Sequence, residues 1–124
     1  MGIFGRLFSR EETVMTVVEF DREAVRPHLN ALIDALGQLA DAMDDDAARM
    51  SNPGWRGRLK DLRNARGDLR LLTRRAEFSK DELFEVLTTV RPLYRGQPPK
   101  DFAHLASLNT VVVAQIEAVH LAAN

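Results

Sequence analysis

Five cations recur on one stretch of this chain at spacings that set them side by side. Arg56, Lys60, Arg63, Arg70 and Arg74 fall on an arc about 80° wide if the stretch is helical and turns 100° per residue. Such a row can neutralise phosphates on nucleic acid, lie on an anionic lipid surface, or meet the acidic face of the first long helix. Most charged faces are merely solvated, so the basic stripe alone assigns no reaction. Carboxylates form a second set. Asp41, Asp44 and Asp45 precede the basic stretch, and Asp81, Glu82 and Glu85 follow it. Brought together they would suit Mg²⁺, a hard cation that takes oxygen ligands. Carboxylates at helix ends need no metal to explain them, and the expectation is no metal and no cofactor. No catalytic residue is assigned either. His28, His104 and His120 do not cluster, and the last two stand about 160° apart on one helix. No nucleophile-elbow sequence joins the serines to a histidine. His120 and Asn109 fall on an apolar face, where a buried polar group with a hydrogen-bond partner is expected.

The elements that position these residues read as helices. Val25, Leu29, Leu32, Leu36, Leu39 and Met43 advance by four and three in turn, a heptad seam. Asp34, Asp41, Asp44 and Asp45 lie opposite it. Pro27 removes a backbone donor, so a kink or break is expected between Asp21 and Pro27. Ser51-Asn52-Pro53-Gly54 is a turn in which Ser51 or Asn52 caps the next helix and Pro53 takes its first position. That helix is the basic one. Trp55, Leu59, Leu62, Leu69, Leu72 and Ala76 form its apolar side, and Gly67 leaves bare backbone beside the cations. Ser79 and Glu82 make a capping box for a helix carrying Leu83, Phe84, Val86, Leu87 and Val90, ended by Pro92. A rigid loop through Pro98-Pro99 leads to a last helix from about Asp101 to Leu121. Phe102, Leu105, Val112, Val113, Ile116 and Val119 are its face. Leu108 and Val111 lie off that face, and a helix apolar so far round is covered on more than one side.

The first eight residues stand apart. Ile3, Phe4, Leu7 and Phe8, with Arg6 the only charge, make a segment that docks on the bundle or a neighbouring subunit, or touches a membrane weakly. It is too short to span a bilayer. MGIF followed by Arg6, Leu7 and Phe8 is similar to the opening of phage-shock membrane-stress proteins over those eight residues. Ser9 and Glu12 can form a capping box. Thr13 to Phe20 is rich in β-branched residues; helix is preferred, with strand as the alternative. Two more resemblances are short. The two acidic sets resemble loosely the paired acidic helices of all-α MazG-type nucleoside triphosphate pyrophosphatases, which implies metal-dependent hydrolysis. The chain lacks the Glu-Glu-x-x-Glu run of that family. Trp55-Arg56-Gly57 resembles the Trp-x-Gly turn of small secreted helical-hairpin proteins, without their C-terminal signal around Tyr94.

At 124 residues, 45% apolar and 28% charged, the chain is one domain with enough apolar residues for a core. It has no cysteine, so no disulfide frame or thiolate chemistry, which fits the cytoplasm. Net charge is −1 overall, but residues 55–76 hold eight Lys/Arg against two Asp/Glu. The expectation is an all-α up-and-down bundle of about four helices over residues 9–124, the first long and kinked near Pro27. The expected function is a non-enzymatic interaction or assembly module, homodimeric through the last helix or the heptad seam. The alternatives are a nucleic-acid-binding accessory protein and the metal-dependent pyrophosphatase.

Overall fold

The computed structural model describes residues 20–124, and all of its regular structure is helical. α1 spans Arg22–Asp44, α2 Pro53–Arg74, α3 Lys80–Leu87 and α4 Ala106–Ala123. Short 3₁₀ turns cover Arg49–Ser51 and Lys100–Leu105. Residues 3–8, the Ser9–Glu12 capping box and most of the Thr13–Phe20 stretch lie outside the described residues.

α1 is the central rod, and it packs against both α2 and α4. Its six seam residues, Val25 to Met43, are all 0% exposed. Ile33, Ala35, Gly37 and Ala40 are buried as well, which widens the covered arc to about 200° at 100° per residue. One helix therefore meets two neighbours. This spends the heptad seam inside the chain and removes it as a surface for a second copy.

The ends of the long helices are tied crosswise, so α2 runs antiparallel to α1. At one end Trp55 Nε1 donates to the Met43 carbonyl at 3.0 Å. At the other, Arg26 donates to the carbonyls of Thr73 at 2.6 Å, Arg75 at 2.7 Å and Ala76 at 3.1 Å. The last carbonyls of a helix lack partners within it; Arg26 supplies one for Thr73 from 47 residues away and binds two more just past the helix end. α3 and the loop after it return along the bundle, with Glu82 at Arg75 and Arg58 donating to Pro92 and Leu93 carbonyls. α4 then comes back beside α1. The order is up, down, up, down.

The caps are where the sequence places them. Asn52 accepts from Gly54 and Trp55 N–H, and Pro53 is the first helical residue of α2. Ser79 and Glu82 form the reciprocal box at α3. The expected break falls at Asp21, the N-cap of α1, and the helix is continuous through Pro27. Pro27 is the sixth residue of α1, so it removes the i→i−4 bond to the Glu23 carbonyl while the helix runs on.

Candidate functional site

The basic stripe is aligned, but its cations have different duties. Arg56, Lys60, Arg63, Arg70 and Arg74 are all exposed on the outer side of α2. Arg56 donates to the Met50 carbonyl at 2.8 Å. Arg63 meets Asp44 at 3.1 Å, both side chains half exposed, a pair of the kind worth ~0–1 kcal/mol. Among the described residues Lys60, Arg70 and Arg74 have no hydrogen-bond or ion-pair partner to their side chains. The other cations of the stretch belong to the fold. Arg58 holds the Pro92–Leu93 carbonyls and lies 5.8 Å from the Phe102 ring centre. Arg66 is half-buried and lies across Gly37 of α1, where a Cβ would stand 2.9 Å from its Nε. Arg75 pairs with Glu82 at 2.6 Å.

Gly67 is open as expected, with nothing within 4 Å of a built Cβ. One feature of this face was not apparent from the apolar seam: Leu71 is 61% exposed among the cations. Arg63, Asn64, Gly67, Asp68, Arg70, Leu71 and Arg74 line a shallow depression of about 650 Å³. Rotating the sequence by 100° per residue places Leu71 beside Gly67, so the signal was present but lay off the core stripe.

The acidic sets do not converge. Asp41, Asp44, Asp45 and Glu85 are exposed, and Glu82 is half-buried. Asp44 sits at Arg63 and Glu82 at Arg75, which lie about 18 Å apart along α2 by helical rise. Among the described residues no three His, Asp or Glu side chains stand where they could share a metal ion. The antiparallel packing of α1 and α2 is the cause, since it sends the two carboxylate groups to opposite ends.

Near the α1–α2 corner an aromatic and charged cluster closes the bundle. Trp55 stacks on Phe102 at 5.3 Å and His104 at 6.1 Å. Asp46 accepts from Arg49 Nη1 at 2.7 Å and lies 3.3 Å from His104 Nε2. The Arg49 hydrogen bond holds the Asp46 carboxyl below its ordinary pKa, and Arg75 does the same for Glu82. A carboxyl with a depressed folded pKa favours the native state above its unfolded pKa, and that support is lost as pH falls through the folded value. Stability should therefore decline as the solution is acidified below the ordinary carboxylate range, about pH 4. In Arg49→Ala that acid decline should be shallower when unfolding is followed by circular dichroism across pH; an unchanged slope would assign it to other groups.

Asn109 and His120 part company. Asn109 is 2% exposed. Its Oδ1 accepts from Leu93 N–H at 2.7 Å and its Nδ2 donates to the Tyr94 carbonyl at 3.1 Å. His120 is exposed at the margin of the inner side of α4, stacked on Phe84 at 5.5 Å. It lies only about 20° round the helix from Asn109, but the expected burial fails for it because it stands at the edge of the packed face. A cleft of about 860 Å³ runs between α2 and residues 88–93. Three of its polar groups serve the fold: Arg58 as above, and the Thr88 and Thr89 hydroxyls, which donate to Glu85 and Val86 carbonyls.

α4 carries the other exposed surface. Leu105, Asn109, Val112, Ile116, Val119 and Ala123 face inward and are buried. A second series, Ser107, Val111, Ala114, Ala118 and Leu121, advances by four and three on the outer side. Val111 is 46% and Leu121 76% exposed. Comparison with protein-family models, curated proteins and solved structures finds no match to this chain.

Proposed function

We propose that the chain is a non-enzymatic helical assembly module that pairs with a second copy through the outer face of α4. The observation that supports this is the outer heptad series, Ser107 to Leu121. A step of four and three is the period at which two helices wrap round each other. Small side chains at Ser107, Ala114 and Ala118 leave room for close approach of a partner backbone. Glu117 is the only carboxylate in the helix, and α4 has no Lys or Arg. A twofold pairing uses the same patch on both copies, so a seam of this kind is complementary to itself. The stretch Lys100–Ala123 also has the length and mean hydropathy, 1.4, of a membrane span. Its inner series belongs to the core against α1, so only the outer series is left for a partner.

The test is molar mass by light scattering over a range of concentration and salt. The dimer should persist at high salt, because apolar contacts are not screened. Val111→Glu and Leu121→Glu should give monomers with unchanged helical circular dichroism. A monomer at every concentration, or variants with undiminished mass, would refute the pairing.

A further inference from the structure

The depression on α2 has a shape and a charge that nothing among the described residues requires. A glycine in a helix interior costs ~1 kcal/mol relative to alanine, and at Gly67 a Cβ would meet open space. Gly57 shares that openness, so the glycine alone decides nothing. What distinguishes Gly67 is its ring of neighbours. Residues three and four positions away adjoin a residue on a helix surface. Here they are Arg63, Asn64, Arg70 and Leu71, and they line the depression with Arg74 and Asp68. Gly67 is thus the floor of a socket with an apolar wall at Leu71 and cationic walls at Arg63, Arg70 and Arg74. A socket between four side chains is what one helix offers to a projecting side chain of another.

The chemistry of the walls selects the occupant. Exposed Leu71 gains nothing from a phosphate chain, and Asp44 and Asp68 at the rim oppose a continuous polyanion. An acidic amphipathic helix satisfies both kinds of wall, its apolar side chain against Leu71 and its carboxylates on the arginines. A second copy of this chain fits less well. The exposed acids along α1 and its C-cap, Asp34, Asp41 and Asp45, alternate with Asn30 and Gln38 and offer no large apolar side chain. We propose that the outer face of α2 receives an acidic amphipathic helix from another protein, an apolar side chain seated over Gly67 and carboxylates on Arg63, Arg70 and Arg74. This is independent of pairing through α4.

The experiment is fluorescence anisotropy of the full chain with a dye-labelled helical peptide of about 20 residues, enough to cover the Lys60–Arg74 span of roughly 21 Å. The probe carries leucines on one seam and glutamates beside them. Comparison probes are a peptide of the same composition with its leucines scattered, a short DNA duplex, and vesicles containing phosphatidylserine. Seamed peptide should bind at least about tenfold more tightly than the scattered one. Gly67→Leu fills the socket and leaves every charge in place; it should weaken binding by a similar factor. Because leucine favours helix and the space is open, that variant should melt no lower than the parent, so a loss of binding is not a loss of folding. Arg70→Glu with Arg74→Glu should abolish binding. Equal affinity for the scattered peptide, full affinity in Gly67→Leu, tighter binding of duplex or vesicles, or no binding of the seamed peptide would each overturn the proposal.

Discussion

Leu36→Ala should lower the unfolding free energy by about 3 kcal/mol, within the usual range for a fully buried leucine. The residue is 0% exposed on the middle turns of α1, the one helix that touches both long partners. Truncation there removes apolar contact and leaves a cavity that two neighbours, held at both ends, are poorly placed to fill. For a chain of this size the melting temperature should drop by roughly 10 °C. Urea and thermal unfolding measure both quantities. Leu71→Ala is the control: an exposed leucine should change stability by less than ~0.5 kcal/mol. Similar losses from the two substitutions would mean that α1 is not the centre of the core.

The second large effect is expected at Asn109. Leucine at this position has the same branching but cannot accept from Leu93 N–H or donate to the Tyr94 carbonyl. Leaving a buried polar group without a partner costs ~1–3 kcal/mol, and Leu93 is 4% exposed. The loss should be local as well as global. The Pro92–Pro99 segment, which turns at Gly96 with φ 78°, has this amide pair as its bond to α4. Hydrogen exchange at the Leu93 amide should accelerate beyond what the change in global stability predicts. Asn109→Asp should be worse than Asn109→Leu at neutral pH, since it retains the acceptor but sets a buried negative charge against the Tyr94 carbonyl. Unchanged exchange at Leu93 in both variants would show that the loop is held by other contacts.

The parts of this fold that were legible in the sequence are those set by neighbouring residues. The α1 seam, the Asn52–Pro53 start of α2 and the Ser79–Glu82 box each depend on residues a few positions apart, and periodicity or capping chemistry reveals them. The stretch from Lys100 to Leu105 was expected to join the last helix from about Asp101. It is a 3₁₀ turn in which Phe102 and His104 stack on Trp55, nearly fifty residues away, and such a contact leaves no local trace. Pro27 removes one backbone bond in the second turn of α1 without ending the helix, so the proline by itself does not mark where the helix begins. The cations show the same division. Their alignment followed from rotation alone. Which of them serve the fold did not, because Arg58 and Arg66 depend on Leu93 and Gly37 in other elements. Leu71 was overlooked for a related reason: attention to the core stripe passes over an apolar residue that faces away from it.

Arg26 makes the two ends of the α1–α2 hairpin answer to one another. Its guanidinium closes the final carbonyls of α2 from the second turn of α1, so unwinding of either end frees the other. Motion at Arg22–Arg26 and at Thr73–Ala76 should therefore rise and fall together, and the hairpin opens there as a single gate rather than as two fraying tips.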